Sequence, residues 1–406
     1  MIDVDEAHTI VLEHVRPGPT IDVALGNALY ATLAEPILCD VDYPPFDRSL
    51  MDGYAVRSRD VAAADRAPVT LEIAGQIAAG SEAIRPLEAG EAMQINTGAP
   101  IPSGADAVVR VEETELAASG KSVVIRAAVG PGKFVTPRGE YVSAGRTVLT
   151  AGTVMTPLEI GVAATCGASM VSVFRRPRVA VLVTGDELVD VDTTPVGPQI
   201  RDSNRYILES LIKTAHASPE VLPRAGDDRD TLRRSIETGA RCEALCITGG
   251  VSMGAFDFVP EVLAECGATM HIRKLAIKPG RPVIFATMPG GAAVFALPGN
   301  PLSAFVAFEL LVRPALAMMQ GRPTAPRSGV RAMLSGRVAP TRDRRAFIPA
   351  RVTIDKDGGL IAEPLSWRGS GDPFGAATAN ALIVQPPGAH GASNGEHVLV
   401  MLLDRV

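Results

Sequence analysis

Residues able to neutralise an anion crowd the stretch from Lys274 to Pro301. There Lys274-Leu-Ala-Ile-Lys278-Pro-Gly-Arg281-Pro runs shortly ahead of Leu297-Pro-Gly-Asn-Pro-Leu-Ser303. Upstream, carboxylates sit in Thr184-Gly-Asp-Glu187, in Gly226-Asp-Asp228 and at Asp257, which follows Gly249-Gly-Val-Ser-Met-Gly254. Asp186, Glu187, Asp227 and Asp257 are hard oxygen donors, suited to Mg²⁺ directly or through the waters it keeps. Acidic loops beside a basic one point to a phosphorylated ligand handled next to a divalent cation.

Each feature also has a plainer reading. Lys274 and Lys278 cannot share a helix that Pro279-Gly280 ends at once; in an extended segment residues four apart share a face, so both ammonium groups point one way. Surface lysines are the alternative, although Leu275, Ala276 and Ile277 between them are apolar. Arg281 adds a planar fork for a tetrahedral oxyanion. Gly249, Gly250 and Ser252 are small enough for backbone N–H groups to approach an anion, or serve simply as turn formers. Pro298, Asn300 and Pro301 belong to a turn stiffened by prolines whose φ is set. The helix expected after it presents Ser303 and free N–H groups, while a structural turn would look the same. Acidic loops commonly cap helices; here they follow successive strands of one expected sheet, which brings them to one edge. No phosphate-binding Walker loop is present, because Gly120-Lys-Ser122 has Glu115 where the first glycine belongs. No GxGxxG follows an expected strand.

These residues need an α/β frame. The spacing predicts strands at Arg178–Val183, Val221–Leu222, Ala244–Thr248, Pro282–Ala286 and Ala293–Leu297. Helices between them carry Ile207, Leu208, Leu211 and Ile212, then Leu232 and Ile236, then Val262 and Leu263. Asp202-Ser-Asn and Asp257 are their expected caps. The result is a three-layer doubly wound domain. Short runs such as Ala107–Val111 and Ser122–Ile125, between Gly and Pro turns, predict a β-rich insert over residues 41–140. Segments 22–40 and 141–173 flank it as a small α+β linking domain. The N-terminal helix, with Ala7, Ile10, Val11 and Val15 on one face, joins residues 1–21 to the 174–325 α/β domain. Short strands and Arg-rich turns over 326–406 predict a C-terminal β-barrel. In the insert, Asp52 within Met51-Asp-Gly-Tyr54 and Thr97 within Asn96-Thr-Gly-Ala99 read by themselves as turns, and Glu112-Glu113 as a solvated pair.

Bulk properties narrow the classes. A net charge of −6 argues against a nucleic-acid binder, and 4% aromatic residues against base-stacking platforms. The five cysteines form no CxxC pair and six histidines no HxxxH pair, so a thiolate or zinc site is not expected. No run approaches eighteen consecutive apolar residues bounded like a membrane span. The first residues lack the pattern of a secretion signal, so a cytoplasmic location is expected.

Together the segments MDGYA, NTGAP, IPSGADAVV, RGE, TGDEL, DSN, GGVSMG, KLAIKPGRP and LPGNP resemble the MoeA-type molybdopterin molybdenumtransferases, which share their catalytic part with the E-domain of gephyrin. The resemblance implies a MogA-like central domain. It also implies an enzyme that acts on adenylylated molybdopterin, releases AMP with a divalent cation and places molybdate on the pterin dithiolene to form molybdenum cofactor. It implies a homodimer whose active site is shared between subunits, and a molybdopterin-adenylylating protein as partner. By motif, Asp52 and Thr97 become the insert's contribution to the shared cleft. Glu187, Asp227 and Asp257 become the acidic set, Lys274 and Lys278 the cationic pair, and Pro298 and Pro301 the ends of the rigid turn. Tyr141 stands where the family often carries Asp, and Arg281 where Lys is common. A gephyrin-like scaffold for a partner peptide and a pterin-adenylylating nucleotide enzyme are the competing readings.

Overall fold

In the computed structural model, residues 1–226, 228–250, 258–324 and 329–403 are described. The centre is a six-stranded sheet in the order Ser218–Val221, Arg178–Val183, Ala244–Thr248, Ala293–Leu297, Ile284–Thr287, Thr269–Ile272. The first four strands are parallel. Ile284–Thr287 runs antiparallel to both its neighbours: the link to Ala293 is too short for a crossover, so the two strands form a hairpin.

Side chains of the central strands alternate between two cores, as pleating requires. Val179, Val181 and Val183 pack with Leu208 and Ile212 of helix Asn204–Thr214 on one face. Ala180 and Leu182 pack with Ile236 of helix Arg229–Gly239 and Val262 of helix Val259–Glu265 on the other. The N-terminal helix, Val4–His14, joins the first layer through Val4, Ala7 and Val11. Also in that layer is Pro301–Met319, a helix long and apolar enough by composition to cross a membrane. Its side chains, including Phe308, Leu311 and Leu316, fill the core instead.

Of the two expected caps, the Asp202-Ser-Asn one is present. The helix after Asp257 begins at Val259 with Phe258 at its N-cap position and no capping side chain; Asp257 itself lies outside the described residues. Ser203 is the N-cap of the Asn204 helix without a side-chain bond, and the neighbouring Asp202 Oδ1 accepts from Arg205 N at 3.0 Å.

The insert holds a second six-stranded sheet, ordered Ala107–Arg110, Gly53–Val56, Glu91–Ile95, Val69–Ile77, Ser122–Ile125, Thr114–Leu116. Its neck is the antiparallel pair Arg48–Ser49 and Val135–Thr136. Glu113 is not simply solvated, because its carboxylate accepts from Arg110 Nη2 at 2.6 Å. Tyr141 closes an aromatic cage on the neck: the Arg48 guanidinium sits 5.4 Å from its ring centre and 5.7 Å from that of Tyr43. Antiparallel pairs Thr20–Ala24 with Met170–Phe174, and Ile37–Leu38 with Thr147–Leu149, build the small linking unit.

Gly329–Leu334, Arg345–Ile354, Leu360–Pro364, Ala381–Gln385 and His397–Leu402 close into a five-stranded barrel, since Arg345–Ile354 pairs with both Leu360–Pro364 and Ala381–Gln385. Ile277–Lys278 is added to it, parallel to Arg345–Ala346. That pairing joins the barrel to the loop carrying the lysines.

Candidate functional site

At the carboxyl ends of the parallel strands three loops meet. Arg178–Val183 ends at Thr184, whose N–H donates to Thr248 O at 3.0 Å, so the Thr184–Glu187 loop starts against the end of the Ala244–Thr248 strand. Gly249 follows with φ +93°, and a Cβ there would stand 2.5 Å from Thr184 O. Only glycine permits both that backbone angle and that approach. Gly250, with φ +62°, has its Cβ position 2.9 Å from Val259 Cγ2 and 3.2 Å from Thr184 Oγ1. On the far side, Gly299 of the Leu297–Pro301 turn lies against Gly249, its Cβ position 3.8 Å from Gly249 Cα.

The acidic loops meet as well. Asp186 Oδ1 would be 2.7 Å from a Cβ on Gly226, so its carboxylate rests against Gly226. The Glu187 carboxylate folds back over Gly185, where an added Cβ would be 2.6 Å from Oε2. Both acids are exposed. Asp228 caps helix Arg229–Gly239, accepting from Thr231 N at 2.8 Å; the Thr231 side chain first, and then this backbone N–H, hold its carboxyl below the usual range. Asp227, Asp257 and Ser252 lie outside the described residues. Among the described residues no group of three or more His, Cys, Asp or Glu side chains is gathered around one point. Asp186 and Glu187 still suit Mg²⁺, which binds through one or two carboxylates and completes its shell with water and substrate phosphate.

The basic segment is extended, as expected, but its two lysines differ in setting. Lys274 is half-buried and its carbonyl accepts from Ile2 N at 3.2 Å, whereas Lys278 is exposed. Leu275 and Ile277 between them are fully buried and anchor the segment. Arg281 is exposed, and its carbonyl accepts from Leu275 N at 3.0 Å. Gly280, with φ +104°, brings this loop against the helix that starts at Pro301, its Cβ position 3.3 Å from Ser303 O.

The turn at Pro298–Pro301 is held from the barrel side. Asn300 Nδ2 donates to Ser370 Oγ at 2.9 Å, and Leu302 N donates to Ser370 O at 3.2 Å. One N–H of that helix start is therefore already occupied. Ser303 is only 3% exposed. Its hydroxyl, expected to meet an anion, is therefore largely covered by its surroundings.

Sequence reasoning missed the barrel's contribution. Lys278, Arg337, Arg342, Arg344, Trp367 and Gln385 line a cleft of about 600 Å³ between the KPGRP loop and the barrel. Among the described residues Asp343 is the one carboxylate lining it, 3.6 Å from Arg344. The net positive wall suits a phosphate or oxyanion, and the indole offers a face for a flat ring. The Arg-rich turn was the available signal, but only the pairing of Ile277–Lys278 with Arg345–Ala346 places it beside Lys278.

Asp52 and Thr97 meet in the insert: Asp52 Oδ1 accepts from Thr97 N at 2.7 Å and from Thr97 Oγ1 at 3.1 Å. These bonds, the backbone one first, hold the Asp52 carboxyl below its usual range. The insert's strands pair with none of the central sheet, so within one chain this pair belongs to a separate body of structure. Burial pushes the Cys166 and Cys242 thiols up to about 11 and Cys246 up to about 12, so none of these three is a thiolate nucleophile near neutral pH.

Comparison with known proteins covers the chain in three blocks. Residues 2–167 match the MoeA N-terminal region (domain I and II), 180–318 a probable molybdopterin binding domain, and 331–403 the MoeA C-terminal region (domain IV). The molybdopterin molybdenumtransferase of Bacillus subtilis is 35% identical over 99% of this chain and 94% of its own. Molybdopterin molybdenumtransferase 2 of Mycobacterium tuberculosis is 36% identical over 89% of this chain and 90% of its own. A crystal structure of the molybdopterin biosynthesis moeA protein from Pyrococcus horikoshii OT3 superposes with a TM-score of 0.85 at 28% identity, covering 99% of this chain and 100% of that one.

Proposed function

Because the chain belongs to the molybdopterin molybdenumtransferase family along its whole length, we propose that the loops gathered at Thr184, Gly249 and Gly299, together with the cationic cleft, are where it loads molybdenum onto molybdopterin. It is a transferase of molybdenum cofactor biosynthesis. Matches to all three family regions favour this reading over a partner-binding scaffold or a pterin-adenylylating enzyme.

The finer reading is that the substrate arrives adenylylated and leaves AMP behind. Negative charge builds on the departing phosphate, and Lys278, Arg342 and Arg344, which line one cleft, would stabilise it without a protein nucleophile. Lys274 and Arg281, on the same segment, extend the positive field. Molybdate, the oxyanion substrate, needs N–H and guanidinium donors, and its sulfur ligands come from the pterin dithiolene. The buried cysteines fit that division of labour. Asp186 and Glu187, with Asp227 and Asp257 as further donors, would hold Mg²⁺, which when bound supplies Lewis-acid stabilisation to the phosphate.

We further propose a homodimer in which the Asp52–Thr97 pair of one insert completes the α/β cleft of the other subunit. Two features support it. The pair forms no sheet with its own α/β domain. Helix Pro157–Thr165 also leaves Leu158 and Val162 exposed at 80% and 39%, an apolar face suited to a second copy. A cytoplasmic setting suits the free thiols, and a molybdopterin-adenylylating protein would be the supplier of substrate.

The observation that carries the reading is the meeting of the Thr184, Gly249 and Gly299 loops beside the cleft of Lys278 and the barrel arginines. Its test is incubation of the purified protein with adenylylated molybdopterin, molybdate and Mg²⁺. AMP is measured by chromatography, and cofactor by reconstitution of an apo-molybdoenzyme. Stoichiometric AMP and active molybdoenzyme are expected; intact adenylylated substrate after incubation would overturn the proposal.

A further inference from the structure

We propose that Asn204 is a positioning residue for the transfer reaction. Its side-chain amide fixes the end of the Ala244–Thr248 strand and the Pro298–Asn300 turn relative to one another, and so sets where both loops stand against substrate. The proposal rests on the molybdenum-transfer reading given above.

Asn204 is the first residue of helix Asn204–Thr214 and is 8% exposed. Its Nδ2 lies 2.8 Å from Thr248 Oγ1 and 2.6 Å from Gly299 O. Thr248 Oγ1 in turn lies 3.2 Å from Pro298 O. The protons can be assigned from chemistry alone. Carbonyl oxygens only accept, and a hydroxyl has one proton to give. Thr248 donates its proton to Pro298 O and therefore accepts from Asn204, whose second N–H goes to Gly299 O. Bridging two acceptors on separate loops takes two N–H groups on one short side chain. A primary amide supplies them; a hydroxyl supplies one and a carboxylate none.

The chain of bonds extends to the acidic loop. Thr248 O accepts from Thr184 N at 3.0 Å, and Thr184 leads into Asp186 and Glu187. One amide thus links the strand end that carries Gly249 and Gly250, the rigid turn, and the start of the carboxylate loop. Helix capping does not explain the residue, because Ser203 holds the N-cap position. Nor is the amide fully satisfied: Asn204 Oδ1 is buried without a partner. A buried acceptor left open is unfavourable, so what the side chain contributes here lies in its two donated bonds.

The test compares wild type with Asn204→Ala, Asn204→Asp and Thr248→Val in AMP release from adenylylated molybdopterin, with thermal melting as the folding control. For Asn204→Ala the expected result is a kcat lowered about ten- to a hundredfold with little change in KM, because loops are misplaced rather than a substrate contact removed. Asn204→Asp carries the discriminating signature. Ionised, it repels Gly299 O; protonated, it donates one bond, so its kcat rises as pH falls through the carboxyl pKa, a limb that wild type lacks. Thr248→Val, which keeps the shape and removes the hydroxyl, lowers kcat in the same direction and decides the matter if either Asn204 variant fails to melt cooperatively. An unchanged kcat in folded Asn204→Ala or Thr248→Val, or an Asn204→Asp profile parallel to wild type, would sink the proposal. Wild type failing to release AMP would instead overturn the functional reading beneath it.

Discussion

At the scale of single residues, charge and exposure decide the roles. Lys278 is exposed, its neighbour Ile277 is fully buried, and the strand pairing to Arg345–Ala346 is made by backbone atoms. Lys278→Ala should therefore leave the melting temperature near that of wild type while kcat/KM for AMP release falls about a hundredfold, the size of a lost transition-state charge contact. Arg344→Ala should act in the same direction and less strongly, since Asp343 partly neutralises that side chain. Full activity in both variants would remove the cleft from the reaction. Lys278 was legible as a candidate from its own segment. Arg337, Arg342 and Arg344 were legible only as a turn, because nothing local marks which distant lysine an arginine will stand beside. Ser303 went the other way: a helix start suggested exposure, and the packing of Pro301–Met319 buried it.

At the scale of elements, the site is made of turns that strand ends force together. Gly249→Ala places a Cβ 2.5 Å from Thr184 O at a φ of +93°, so the loop must move or the backbone must carry strain. The expected cost is about 1–3 kcal/mol, measured by denaturant unfolding, together with a loss of turnover larger than that of a surface substitution. Activity equal to wild type would mean that this loop does not face substrate. The strands themselves were readable, because β-branched runs such as Arg178–Val183 and Ala244–Thr248 are buried on both faces and carry no polar interruption. The reversed direction of Ile284–Thr287 follows from the short link to Ala293, which leaves no room for a crossover helix. The caps were less readable: both Asp202 and Ser203 could have led the Asn204 helix, and the distinction lies in backbone angles that composition does not encode.

At the scale of the whole molecule, the question is which insert serves which cleft. If the Asp52–Thr97 pair acts across a two-fold axis, an inactive Asp52→Ala protein mixed with inactive Lys278→Ala protein and allowed to exchange subunits should recover about one quarter of wild-type activity. Half the dimers are then mixed, and each has one intact site of two. No recovery after verified subunit exchange would place the whole site within one chain. The sequence alone determined the succession of a β-rich insert, an α/β domain and a terminal barrel, because the periods and turn residues that encode them are local. It also determined which loops carry acids and which carry lysines. Only the tertiary structure decided that the barrel's arginines line the lysine cleft and that Asn204 joins the Thr248 and Gly299 loops. The Asn204 contacts span 44 and 95 residues of chain, and a pairing at such separation is chosen by how whole sheets pack, not by any pattern within a short window.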